Sequence, residues 1–203
     1  MMKIYFVRHG QTEYNYIGRM QGGKVDSPLT EKGIQQARTA GIMLKDTVFD
    51  RVYSSDLQRA MDTAKYIIDE NKRNELVPVP EKGFRELYFG TWEGRYVEKI
   101  KEEKEFVHLR TSPQLYNPAA HGGESYPELI ERAEKALFNI IEENSGAENL
   151  LVTSHGITIT TLVRSLAGVP LENLRKGGIV ENASISTIKV FQKEIEVLDF
   201  NIH

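Results

Sequence analysis

Two short runs, Lys3-Ile4-Tyr5-Phe6-Val7 and Leu150-Leu151-Val152-Thr153, are dominated by apolar, aromatic and β-branched residues. A strand with one face in water alternates polar and apolar positions. A nearly continuous apolar run suits a strand covered on both faces, as in parallel sheets flanked by helices. The two runs end alike, in Arg8-His9-Gly10 and in Ser154-His155-Gly156. The carboxyl ends of such strands are where open α/β sheets place their ligands. The chain is therefore expected to bring two histidines together at one sheet edge.

The segments between these runs alternate in character. Thr30 to Leu44 carries Ile34, Ala37, Gly41 and Leu44 at helical spacing, with Thr30 as N-cap. Arg51 to Ser54 reads as a short strand. Ser55 or Asp56 can cap the helix that follows, whose inward stripe is Leu57, Ala60, Met61, Ala64, Ile67 and Ile68. Glu75 to Pro80 reads as another strand. Ser125-Tyr126-Pro127-Glu128 is a capping box that opens a helix with Leu129, Ala133, Ala136 and Ile140 inward. Gly156 to Leu166 is an apolar helix, and Ser184 to Phe191 with Ile195 to Phe200 forms a closing hairpin. This order predicts a three-layer α/β/α sandwich with a mainly parallel central sheet. The 203 residues suffice for a single domain, 1–203. One stretch, about 83–123, breaks the alternation. It holds Trp92, other aromatics and a charged helix around Arg95 to Val107, with Val97, Ile100 and Val107 as its apolar face. It reads as a lid over a site, or as extra packing on one sheet edge.

Composition narrows the class. Apolar residues make up 40% and charged ones 27%, ordinary for a water-soluble protein. A net charge of −3 argues against nucleic acid as a partner. No apolar run approaches a membrane span, and no leader is visible. Cysteine is absent, which excludes thiolate chemistry and fits a cytoplasmic location.

The residues at the strand ends suggest chemistry. His9 offers a nucleophilic imidazole beside the fixed charge of Arg8, a combination suited to attack on a phosphoryl group. Arg59 lies early in the helix after the second strand and can point to the same edge, or pair on the surface with Asp56 or Asp62. Glu86, in Arg85-Glu86-Leu87-Tyr88-Phe89-Gly90, is a carboxylate among aromatics. Desolvation there would suit it to donate a proton; the plainer alternative is an ion pair with Arg85.

Arg8-His9-Gly10-Gln11-Thr12 with Asn15 resembles the R-H-G-x-T-x-x-N signature of the histidine phosphatase superfamily, the phosphoglycerate mutase-like proteins. The likeness continues through Gly18-Arg19-Met20-Gln21-Gly22, Asp26-Ser27-Pro28-Leu29-Thr30, the block from Ser54 to Ala64, Arg85-Glu86, Gly122-Gly123-Glu124-Ser125 and Ser154-His155-Gly156. The resemblance implies that His9 becomes a phosphohistidine. Arg8, Arg59 and His155 would form the charged cradle. Two guanidiniums and an imidazolium would neutralise the transferring phosphoryl group, so neither a metal nor another cofactor is expected. Asn15, Gln21, Gly22 and Gly156 would add phosphate contacts, and Glu86 would be the general acid.

The same resemblance separates two activities. In the mutases the acid is followed by E-x-x-Y-G-x-x-x-G-x-x-K, by an Arg pair further on, and by H-G-N after the second histidine. Here Phe89 stands for the Tyr, Val97 for the Lys and Ile157 for the Asn, and Arg110 is alone. Fewer cationic contacts favour release of a phosphorylated intermediate over its return. The expectation is a phosphomonoester hydrolase of the smaller phosphatase type, with cofactor-dependent phosphoglycerate mutase as the alternative and a catalytically silent phosphate-binding module third. The partner would be a small-molecule phosphate monoester. Sugar phosphates, α-ribazole phosphate, phosphoglycerates and phosphoproteins all stay open as substrates. The aromatics from Tyr88 to Tyr116 suggest a rim for neutral or apolar bodies.

Overall fold

A computed structural model describes residues 1–71, 75–192 and 194–203. Its centre is a six-stranded sheet: β1 (Met2–Arg8), β2 (Arg51–Ser54), β3 (Val79–Pro80), β4 (Asn149–Ser154), β5 (Ile185–Phe191) and β6 (Glu194–Ile202). The spatial order is β3-β2-β4-β1-β5-β6. Strands β3, β2, β4 and β1 are mutually parallel, and β5 runs antiparallel to both β1 and β6.

The apolar runs divide by pleat. Ile4, Phe6, Leu150 and Val152 enter one core with Ala133, Leu137, Ile140, Ile159 and Leu162. These come from α5 (Tyr126–Glu143) and α6 (Gly156–Leu166). Val7 and Leu151 enter a second core with Ala40, Leu44, Ala64, Ile67 and Ile68. The short α1 (Glu13–Ile17) follows β1, and the second core belongs to α2 (Glu31–Met43) and α3 (Gln58–Asp69), with Leu44 at the end of α2. Helices thus cover both faces, which is why the two runs carry almost no polar positions. The capping box at Ser125 and Glu128 forms, and Thr30 caps α2 by accepting from Gly33 N at 3.1 Å. No helix among the described residues is long and apolar enough to cross a membrane.

Three local readings change. The strand expected over Glu75 to Pro80 shortens to Val79–Pro80. Pro78 and Pro80 lack the N–H a ladder needs, so pairing there is confined to a short sheet edge, and residues 72–74 lie outside the described residues. Neither Ser55 nor Asp56 is the N-cap of α3; Leu57 takes that position without a side-chain cap. Asp26 reaches in instead, and its Oδ2 accepts from Gln58 N at 2.6 Å. The helix expected around Arg95 to Val107 is a 3₁₀ turn at Val97–Lys99 followed by α4 (Lys104–Thr111). Ile100, Phe106 and Leu109 are buried, whereas Val107 is exposed. Residues six apart fall on different sides of a helix, so a continuous one would not bury both Ile100 and Phe106.

The stretch from 83 to 123 packs a third core of Leu87, Phe89, Trp92, Ile100, Phe106, Leu109 and Tyr116 against Met20, Tyr126, Leu129 and Ile157. It stands over the carboxyl end of the parallel strands, since Ile157 opens α6 immediately after β4.

Candidate active site

Pairing of β1 with β4 sets Arg8 opposite Ser154, and His9 N donates to Ser154 O at 2.9 Å. The two His-Gly pairs therefore meet, with imidazole centroids 5.2 Å apart. The turn after β1 is possible because Gly10 and Gly33 lack side chains. A Cβ at Gly10 would collide with the Gly33 carbonyl, and one at Gly33 with the Gln11 carbonyl.

His9 keeps 4% exposure. Its Nδ1 lies 2.7 Å from Gly10 O. A carbonyl accepts only, so Nδ1 carries the proton and Nε2 keeps its lone pair. Burial, then Arg59 and Arg8, push the imidazolium well below the usual histidine range. His9 is neutral at pH 7, the form that can attack phosphorus. Asn182 Nδ2 steadies the residue by donating to His9 O at 3.0 Å.

Arg59 is fully buried at this edge and not paired on the helix surface. Its Nη1 donates to Asp26 Oδ1 at 2.9 Å, its Nη2 to Gly22 O at 2.9 Å, and its Nε to His155 Nδ1 at 3.2 Å. Asp56 is taken by Arg85 through two bonds of 2.6 and 2.7 Å, and Asp62 by Gln58 and Lys65. Arg85 is therefore not the ion-pair partner of Glu86.

The imidazolium expected of His155 is not its resting form. A guanidinium only donates, so His155 Nδ1 is the acceptor and Nε2–H donates to Ser55 Oγ at 2.7 Å. Burial, followed by the charge of Arg59, pushes its protonation well below the ordinary range. The fixed positive charge beside His9 comes from Arg8 and Arg59. Burial lowers Arg8 to about 10, which leaves it charged at neutral pH. Its Nη1 donates to Val180 O at 2.7 Å, while its buried Nε has no partner. Gly156 makes room for this guanidinium: a Cβ there would stand 3.2 Å from Arg8 Cζ.

Glu86 is held by polar groups. Its Oε1 accepts from Leu87 N, Thr158 N and Thr158 Oγ1 at 3.0 to 3.1 Å, and its Oε2 from Ile157 N at 3.1 Å. The carboxylate thus sits on the positive end of α6, where backbone N–H groups converge. Arg132 clamps the peptide that carries it, donating to the carbonyls of Gly83, Arg85 and Glu86 and to both oxygens of Glu124.

Asn15 Oδ1 accepts from Thr12 N at 3.2 Å. Gln21 Oε1 accepts from Thr12 Oγ1 at 2.7 Å, and its Nε2 donates to Ser27 Oγ at 3.0 Å. Both face a cavity of about 360 Å³, together with Arg8 and Glu86. His9, Arg59 and His155 are not among its lining residues. The stretch from 83 to 123 also lines this cavity, with Phe89, Val97, Phe106, Leu109 and Arg110. Among the described residues, no group of three or more His, Asp or Glu side chains gathers as a metal site would require.

Sequence reasoning missed four participants. Ser55 was read as a cap, not as the partner of His155. Asn182, Arg132 and Arg175 come from segments with no motif; Arg175 also lines the cavity. Its run, Leu174-Arg175-Lys176-Gly177-Gly178, reads as a solvated loop.

A neutral histidine beside the buried Arg59 and the half-buried Arg8, at the carboxyl edge of a mainly parallel sheet, defines a phosphoryl-transfer type of α/β enzyme. The chain belongs to the histidine phosphatase superfamily, branch 1, whose family model matches residues 4–203. It is an enzyme of the phosphatase and mutase class. It is 32% identical over 173 residues to an adenosylcobalamin/alpha-ribazole phosphatase of Salmonella typhimurium, covering 85% of this chain and 83% of that protein. It is 37% identical over 192 residues to a probable phosphoglycerate mutase GpmB of Escherichia fergusonii, covering 93% and 85%. The solved structure of YhfR from Bacillus stearothermophilus superposes with a TM-score of 0.91 at 30% identity, covering 100% of this chain and 98% of that one.

Proposed function

We propose that the chain is a phosphomonoester hydrolase that works through a phosphohistidine on His9, without a metal. The observation that carries this reading is the bond from His9 Nδ1–H to Gly10 O, which leaves Nε2 as the free nucleophile. Nε2 attacks phosphorus in line, a P–N bond forms, and the P–O bond to the leaving group breaks. Arg8 and Arg59 offset the charge on the equatorial oxygens. Glu86 gives its proton to the departing alkoxide. In the second half, Glu86 takes a proton from water, water attacks phosphorus, and the P–N bond breaks to restore His9. His155 takes the role of a neutral partner that keeps Arg59 in place. Asn15, Gln21, Gly22 and Gly156 flank the phosphate. The partner is a small phosphate monoester, and the working place is the cytoplasm.

A rapid-quench experiment with a ³²P-labelled ester tests this. Wild type should form an acid-labile, base-stable phosphoenzyme that His9→Ala lacks, and robust turnover by a folded His9→Ala protein would overturn the mechanism. Mutase activity is the second reading, favoured by the arginines lining the cavity and by the relative named as a probable phosphoglycerate mutase. Product analysis with 3-phosphoglycerate decides it. Formation of 2-phosphoglycerate, stimulated by 2,3-bisphosphoglycerate, would establish the mutase, whereas slow release of inorganic phosphate alone supports the hydrolase.

A further inference from the structure

The cavity has a charge that the neutral rim expected from the aromatics does not explain. Arg8 lies in its wall, and so do Arg19, Arg110 and Arg175, against the one carboxylate Glu86. Among the described residues, none of these four guanidiniums has a carboxylate within ion-pair distance. Like charges facing one concave space repel, and a low-dielectric wall strengthens the repulsion. Such an arrangement favours an anion.

Arg175 is the most specific of the four. Its Nη1 donates to Tyr126 Oη at 3.1 Å, and Tyr126 Oη donates in turn to Leu109 O at 2.7 Å. That chain fixes one side of the guanidinium against α4 and α5. Its Nε is shut off from water and has no hydrogen-bond partner. The same holds for Arg8 Nε and Arg19 Nε in this wall, so three of the four guanidiniums keep a donor that no protein acceptor satisfies. Arg175 contributes to lowering Arg8, whereas the shift of His9 comes from burial, Arg59 and Arg8. Arg175 lines the cavity together with Arg8 and Glu86, whereas His9 and Arg59 are not among its lining residues.

We propose that Arg175 is a specificity residue that receives a second anionic group, a carboxylate or phosphate, on the body of the ester. This rests on the phosphatase reading, with the ester phosphate on Arg8 and Arg59. Tyr126 holds the guanidinium at the cavity wall through Nη1, and the guanidinium's planar set of N–H donors suits an anionic group.

The test compares phenyl phosphate with its 2-, 3- and 4-carboxyphenyl analogues, esters alike except for the second charge. Wild type should prefer at least one carboxylated ester by kcat/KM. Arg175→Gln should lower that preference about 10- to 100-fold, the range of a lost charge-assisted hydrogen bond, chiefly through KM. Arg175→Lys should keep part of it, and stands in if the Gln variant fails to fold. A preference unaltered by both substitutions, or no wild-type preference for any carboxylated ester, would overturn the assignment. If wild type hydrolyses none of the esters, the phosphatase reading falls. Calorimetric binding of the same esters to His9→Ala, with and without Arg175→Gln, then decides Arg175 alone. Tighter binding of a carboxylated ester that is lost on substitution supports the subsite; equal binding removes it.

Discussion

Arg59 Nε donates to His155 Nδ1 at 3.2 Å, and this contact sets the protonation state of the second histidine. A ring that accepts from a guanidinium is neutral, with its proton on Nε2. ¹⁵N chemical shifts of His155 should therefore report the Nε2–H tautomer at pH 7, and an imidazolium there would contradict the geometry.

The same burial makes stability depend on pH. His9 and His155 titrate well below their unfolded value of about 6.5, so the unfolded chain binds protons in a range where the folded one does not. The sign follows: these groups leave stability untouched well above pH 6.5 and reduce it as pH falls through that value toward their folded pKa. Each costs up to about 1.4 kcal/mol per pH unit in that window. Urea midpoints should fall between pH 7.5 and 5.5, with a shallower slope in His9→Gln. A midpoint that holds or rises on acidification would contradict burial of both rings as neutral species.

Arg132→Met should destabilise the fold by about 2–4 kcal/mol, because three carbonyls and Glu124 lose charged donors at once. Denaturant unfolding reads this directly. A change under about 0.5 kcal/mol would mean that water satisfies the carbonyls unaided.

The meeting of His9 and His155 at one sheet edge is legible in the sequence. Strand-end histidines are visible because the strands announce themselves, as Ile4, Phe6, Leu150 and Val152 feed one core while Val7 and Leu151 feed the other. The capping box at Ser125 was equally plain, since its partners are three residues apart. What stayed hidden depends on contacts between distant segments. Asp26 capping α3 joins residues 32 positions apart, and Arg132 meets Gly83 across 49. The charge of His155 was misread because its motif position says nothing of which nitrogen Arg59 addresses. Arg175 was missed because a basic residue between α6 and a Gly-Gly pair has the pattern of solvated surface.

Activity should persist in excess EDTA after dialysis. The positive charge near His9 comes from the Arg8 and Arg59 side chains, and Arg8, although burial lowers it to about 10, stays charged at neutral pH. Initial rates on phenyl phosphate, measured with and without chelator, check this. Recovery only on adding Mg²⁺, Mn²⁺ or Zn²⁺ would show that the cradle is incomplete without a metal.

Glu86→Gln separates proton donation from positioning. Gln keeps one carbonyl oxygen to accept from the start of α6 but supplies no acidic proton. Alkyl phosphates leave as strongly basic alkoxides, whereas p-nitrophenolate departs as a stable anion. Loss of a general acid is worth about 10²–10⁴-fold, and that difference should appear between the two kinds of ester. Dephosphorylation needs water activation with either ester, so the comparison belongs to single-turnover formation of the phosphoenzyme. A large loss for the alkyl ester with a small one for p-nitrophenyl phosphate is expected. Equal losses in that step would assign Glu86 to placing the phosphate, and the leaving-group proton would have to come from another group.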